Sequence, residues 1–170
     1  MKKDRKNIIL QSLAGMLEER NLSKITTAAL AKKSGITEAA LYRHFPSKRS
    51  IYAELFSFCD ESIFTKCNEL KKSKITSKEK VKNTYMFFML FVEKNKGFAR
   101  LLSREALSSD EQNVSDNVNQ FFERLELVLR QILKESEDQL RTQAGISAQL
   151  IVTTLEAVSY THLRAHETQT

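Results

Sequence analysis

From Ile25 to Lys48 the chain reads ITTAALAKKSGITEAALYRHFPSK, and this segment holds the side chains best suited to binding chemistry. Thr37, Glu38, Ala40, Tyr42, Arg43 and His44 fall on the exposed part of a short helix. Hydroxyl, guanidinium and imidazole groups in such a row hydrogen-bond to phosphates and base edges rather than break covalent bonds. Ala28, Ala29, Ala31, Ala39 and Ala40 are small enough for two helices to cross closely, while Leu30 and Leu41 fill the seam. Gly35 supplies the left-handed turn between the two helices. A helix held out in this way can enter a major groove. An enzyme is not supported, since the sequence offers no nucleophile and base pair, no glycine-rich phosphate loop and no metal set.

The elements that must position these residues are helical. One proline, four glycines and a dominance of Leu, Lys, Glu, Ala and Ser favour long helices, and the predicted fold class is all-α. Apolar residues at helical spacing predict a first helix over residues 6–20, with Asn21 and Ser23 breaking it. Thr27 is the expected N-cap of the second helix and Thr37 that of the third, over residues 38–44. Pro46 ends that helix and Ser47 caps a long fourth, with Ile51, Leu55, Phe58, Cys59, Ile63 and Phe64 on its inner side.

Residues 71–80 form a polar hinge, after which Thr76 or Ser77 caps a fifth helix over residues 80–94. Asn95 to Gly97 interrupt it before a short helix around Phe98, Leu101 and Leu102. After a polar loop at residues 108–112, Val118, Phe121, Phe122, Leu125, Val128, Leu129 and Ile132 trace the seam of a helix running to about Gln139, and a last helix starts near Ser147. The predicted domains are a helix-turn-helix unit at residues 1–49, a helical regulatory and dimerisation unit at 50–157 and a non-native tail at 158–170.

Charge agrees with a nucleic-acid partner for the first unit. Residues 1–49 hold 11 basic and 4 acidic side chains, a balance of +7 in a chain of net +6. That is the footprint of a phosphate-binding surface, although a solvated lysine face has the same appearance. Cys59 and Cys67, eight residues apart on one helix, are separated by about 12 Å of rise and read as reduced cytosolic thiols. His44, His162 and His166 share no ligand spacing with them, so neither a metal nor a cofactor is expected. No secretory signal and no membrane span is predicted.

The segment ending in Phe45-Pro46-Ser47-Lys48 resembles the reading head of the TetR family of DNA-binding proteins. The resemblance implies double-stranded DNA as partner, with Thr37, Ala40, Tyr42 and His44 facing the groove or its rim. It also implies that Thr27, Tyr42 and Lys48 reach phosphates. Arg43 could touch DNA or pair with an acidic neighbour. Further stretches, QSLAGMLEE, EKNKGFARLL and NQFFERLELVLRQIL, are similar to the branch of that family that performs nucleoid occlusion, over nearly all of residues 8–157. That branch implies a nucleoid-associated cytoplasmic homodimer that binds palindromic chromosomal sites and inhibits the cell-division protein FtsZ.

On the same resemblance an FtsZ tail site lies between the fourth and fifth helices, at Phe58, Lys66, Phe87, Leu90, Lys94 and Asn95. Phe58 and Asn95 match the branch's pattern. Lys66 and Lys94 stand where it has arginine, and Leu90 where it has glycine. Lysine keeps the charge but loses the planar fork, and a leucine would fill part of a groove. Phe58, Phe87 and Leu90 equally suit an ordinary core between helices. A second function class is a ligand-responsive TetR-type repressor, with Phe87, Phe88, Phe91 and Phe98 lining a cavity or packing as core.

Residues 158–168, VSYTHLRAHET, look like a translated sequencing adapter rather than a continuation of the helical pattern. The expected consequence is a truncated last dimerisation helix and a chain that dimerises poorly. His162 and His166 stand at i, i+4, a spacing that would suit a metal only weakly.

Overall fold

The computed structural model describes residues 2–19, 22, 25–136 and 141–167, except for the side chains of residues 2–4 and 162–167. Eight α-helices follow one another among the described residues: α1 (Lys2–Leu17), α2 (Thr27–Lys33), α3 (Glu38–His44), α4 (Lys48–Lys72), α5 (Ser77–Lys94), α6 (Lys96–Leu102), α7 (Gln112–Lys134) and α8 (Ala144–Glu167). A 3-10 turn, Ser109–Glu111, precedes α7. The first three helices form a small head, and α4 carries the chain into a helical body. The expected breakers Asn21 and Ser23 lie outside the described residues, and α7 ends at Lys134, capped at Glu135, short of the expected end near Gln139.

Local chemistry explains where helices begin. The Thr37 hydroxyl accepts the Ala40 N–H at 3.2 Å and opens α3. Ser47 and Ser50 cap α4 reciprocally, at 3.1 and 3.2 Å. Thr76 and Glu79 do the same for α5. Hydrogen bonds from Thr76 lower the Glu79 pKa, so the stabilisation from this box is present above the ordinary carboxylate range and is lost as pH falls through the depressed value. One expectation needs correction. Thr26, with extended backbone, caps α2 by accepting the Ala29 N–H, and Thr27 is the first helical residue, its hydroxyl free for other partners.

Head and body share one core. Ile9, Leu13 and Leu17 of α1 pack with Leu30 of α2, Leu41 of α3 and Ile51 and Leu55 of α4, and the same cluster continues to α7 and α8. Its centre in the body is aromatic. Phe121 of α7 lies between Phe56 and Phe64 of α4, Phe88 of α5 and Phe98 of α6, with ring centroids 5.4 to 6.1 Å away. The cysteines are buried, and burial pushes their thiols up to about 12 for Cys59 and about 11 for Cys67, which keeps both protonated at neutral pH.

Gly97 does not interrupt the chain as its sequence position suggests; only Asn95 separates α5 from α6. Gly97 lies inside α6, where a Cβ would stand 2.8 Å from the Ala14 carbonyl oxygen and 3.1 Å from the Leu17 Cβ. The glycine therefore lets α6 approach the backbone of α1. Gly97→Ala should force the head and body apart locally and cost about 1–3 kcal/mol, the range for overpacking, measured as a lowered midpoint in urea or heat. An unchanged midpoint would refute the close-approach role.

Candidate nucleic-acid interface

The reading surface is built from α2, α3 and the turn between them. The Gly35 N–H bonds to the Lys32 carbonyl at 3.1 Å and the Ile36 N–H to the Ala31 carbonyl at 3.0 Å, the paired bonds of a Schellman ending. This ending needs a left-handed residue, and Gly35 has φ +67°. Leu30 and Leu41 are buried in the seam as expected, which leaves the opposite side of α3 to solvent.

Tyr42 is 46% exposed, and Thr37 and Arg43 are exposed with it. Ala40 and His44 are half-buried. Among the described residues no acid pairs with Arg43, so its guanidinium is available to an external anion. The imidazole Nδ1 of His44 is buried and has no hydrogen-bond partner, so contact with an external group falls to Nε2. Thr27, released from capping, hydrogen-bonds to the Glu38 carboxylate, and the Tyr42 hydroxyl lies 3.5 Å from the same threonine oxygen. The structure thus brings Thr27, Glu38 and Tyr42 together across the two helices.

Glu38 is the only acid between Ile25 and Lys48. A carboxylate facing duplex DNA is repelled by phosphate everywhere and is rewarded only by a donor such as the cytosine amine. Glu38→Gln should therefore tighten binding to random duplex by about fivefold and reduce discrimination between sites, both read by fluorescence anisotropy. Equal changes on selected and random duplex would remove Glu38 from site choice.

Lys48 behaves differently from the expectation of a free phosphate grip. In the DNA-free chain its ammonium stands 5.1 Å from the centre of the Tyr52 ring and 3.6 Å from the Glu111 carboxylate, on the body side. Burial, and secondarily the Glu111 charge, raise the Tyr52 pKa, so the phenol stays neutral.

Residues 9–55 match the profile of bacterial regulatory proteins of the tetR family. Residues 76–169 match the tetracyclin repressor-like C-terminal domain of SlmA-like type. The chain is 43% identical over 135 residues to the nucleoid occlusion factor SlmA of Vibrio campbellii, covering 79% of this chain and 69% of that protein. It is 38% identical over 148 residues to SlmA of a Marinomonas species, covering 86% and 75%. The chain belongs to the SlmA family of TetR-like nucleoid occlusion factors.

Solved structures agree on the fold. The fatty acid degradation regulator FadR of Bacillus halodurans superposes with a TM-score of 0.77 at 14% identity, covering 98% of this chain and 87% of its own. A TetR-like transcriptional regulator from Rhodococcus gives 0.75 at 20% identity, covering 91% and 81%. Identity this low speaks for the fold alone.

Within that family frame the six residues expected at a tail site separate into groups. Phe58 is 65% exposed, which corrects its placement on the inner side of α4. Leu90 is exposed as well, so neither is core, and Leu90 projects outward rather than into a packed seam. Phe87 is half-buried against Phe91, with ring centroids 5.9 Å apart. Lys66 pairs with Glu69 at 3.0 Å, and Lys94 is exposed at the end of α5. The Asn95 side chain bonds to the Phe91 carbonyl at 2.7 Å and fixes the break between α5 and α6.

Phe58 and Asn95 meet at a cavity of about 310 Å³ between head and body. Its other walls include Leu55, Cys59 and Phe98, and residues of α1 that the sequence reading did not single out, among them Asn7, Gln11 and Ala14. The spacing of Asn7, Gln11 and Ala14 along one helical face was the available signal. Lys66, Phe87, Leu90 and Lys94 do not line it. The rings considered for a ligand cavity are mostly packing elements: Phe88 and Phe98 are buried against Phe121, Phe91 packs on Phe98, and of the four only Phe98 reaches the cavity wall. Among the described residues no three metal-ligating side chains converge, and no helix is long and apolar enough to cross a membrane. The side chains of His162 and His166 lie outside the described residues.

Proposed function

We propose that this SlmA family member binds palindromic chromosomal sites as a homodimer, one α3 per half-site, and restrains FtsZ-dependent septum formation from the nucleoid. It acts by binding rather than by catalysis. The observation that carries the reading is the outward face of α3, where Tyr42, Arg43 and Thr37 stand exposed, with His44 half-buried beside them, on the most basic part of the chain. Thr37, Ala40, Tyr42 and His44 read the groove or its rim, Arg43 adds a cation beside them, and Thr27, Tyr42 and Lys48 take phosphates. Half-sites would then lie about 34–36 Å apart. Affinity should fall steeply with salt because bound phosphates release counterions; a binding curve unchanged from low to high salt would refute the interface.

The dimer is supported by Leu127 of α7 and by Ile146 and Leu150 of α8, which are large, apolar and more than half exposed. The helical pattern does not give way at residue 158 as expected from sequence: α8 runs on to Glu167, Ser159 is buried, and the Arg104 guanidinium donates to the Tyr160 hydroxyl at 2.9 Å. Sedimentation showing only monomer at low micromolar concentration would contradict the dimer.

The FtsZ tail is proposed to enter beside Phe58 and Asn95, because an exposed phenylalanine next to an apolar cavity is an anchor for a peptide. Binding of an FtsZ C-terminal tail peptide, with and without duplex, tests this: Phe58→Ala should abolish capture while DNA binding persists. No capture by the parent chain with DNA binding intact would favour the ligand-responsive repressor, for which the same cavity is large enough.

A further inference from the structure

We infer that Glu111 is a positioning residue for DNA binding: in the free protein the body holds Lys48 through this carboxylate, and duplex DNA draws the lysine away from it. The inference rests on the proposed phosphate role of Lys48. Glu111 lies in the 3-10 turn between α6 and α7, and it is 1% exposed. One carboxylate oxygen accepts the Ser108 N–H at 2.9 Å and the Ser108 hydroxyl, which fixes the group in place. The other oxygen faces Lys48 at 3.6 Å. A carboxylate this deeply buried needs a countercharge, and among the described residues Lys48 is the cation within reach.

Lys48 is suited to exchange partners. It is the first residue of α4, where unpaired backbone N–H groups and the helix dipole favour an arriving phosphate. Its side chain is 34% exposed, and a lysine ammonium is a point charge on a flexible stem. The ammonium itself stands over the Tyr52 ring, 5.1 Å from its centre, and the flexible side chain lets the charge move between Glu111 and solvent without unpacking the helix. Phosphate and Glu111 compete for one ammonium, so Glu111 acts on DNA binding through Lys48.

Two consequences follow. Glu111 lowers DNA affinity alike on all sequences. By reciprocity, DNA binding removes the countercharge of Glu111 and loosens the turn at residues 108–111, which makes the body sensitive to occupancy of the head. Glutamine is a close probe, because its carbonyl oxygen can keep the Ser108 bonds while removing the charge.

The test is a mutant cycle on the full chain: parent, Glu111→Gln, Lys48→Met and the double variant, each titrated by anisotropy against a duplex selected from a random pool and against a scrambled duplex. Glu111→Gln should tighten both complexes by about fivefold, the order expected for a partly exposed ion pair. Lys48→Met should weaken both and reduce the salt slope by about one. In the Lys48→Met background Glu111→Gln should change nothing. Amide exchange over residues 106–112 should rise when duplex is added to the parent but not to Lys48→Met. If Lys48→Met weakens binding and Glu111→Gln does not tighten it, the positioning role of Glu111 fails while the phosphate role of Lys48 stands. Should Lys48→Met leave affinity intact, both are refuted. Absence of any exchange change in the parent overturns the coupling even if Glu111→Gln fails to fold.

Discussion

Tyr42→Ala is expected to weaken binding to a selected duplex by about tenfold to a hundredfold, and to weaken binding to a random duplex less. The phenol is the largest exposed group on α3 and stands beside the Thr27 hydroxyl, so its loss removes a hydrogen bond and an aromatic contact together. Well-placed contacts to base edges contribute about 1–3 kcal/mol each, which spans this range. Tyr42→Phe keeps the ring and should retain most of the discrimination while losing part of the affinity. His44→Ala should also blur site preference, because its half-buried imidazole, with Nδ1 turned inward, stands at the end of the same helix. Lys48→Ala, by contrast, should weaken all duplexes alike. Anisotropy titrations at one fixed salt concentration compare the four variants; equal losses from Tyr42→Ala on selected and random duplex would show that the residue positions the protein without reading sequence.

Much of this interface was legible because its determinants are local. A threonine three residues before an alanine N–H it can cap and a glycine at a Schellman position act within a few residues, so Thr37 and Gly35 could be placed from sequence, whereas of the alanines assigned to the crossing only Ala31 is buried and Ala28 and Ala39 are exposed. Thr26 and Thr27 show the limit of that reasoning. Either could cap α2, and the choice was made by the extended backbone at Thr26, which then lets Thr27 reach Glu38 across the turn. Contacts between distant residues left no local trace. Nothing near Lys48 in the chain announces Glu111, and nothing near Gly97 announces the Ala14 carbonyl. Phe58 was misplaced for a related reason: helical period assigns a stripe to the core, but the stripe on α4 also borders the seam with α1, where Phe58 faces outward beside buried Leu55 and Cys59.

The largest effect on stability should come from Phe121→Ala. Its ring is fully buried and touches rings from α4, α5 and α6 as well as its neighbour Phe122, at centroid distances from 5.2 to 6.1 Å. Four helices thus meet on one side chain, and a backbone held by so many partners cannot collapse into the space left behind. Removing a phenylalanine under those conditions costs about 3–5 kcal/mol, a large share of the roughly 5–15 kcal/mol by which a domain is stable. For a chain of this size each kcal/mol lowers the melting midpoint by about 2–4 °C, so a drop of roughly 10 °C is expected in a thermal scan followed by helical ellipticity. Phe58→Ala is the matching control, since an exposed ring on α4 stabilises little. The two phenylalanines should separate cleanly: one removes the fold and with it all binding above the lowered midpoint, the other leaves the melt in place and affects only what docks beside the cavity. A melt as stable as the parent's after Phe121→Ala would mean that α4, α5, α6 and α7 are held together by something other than this aromatic centre.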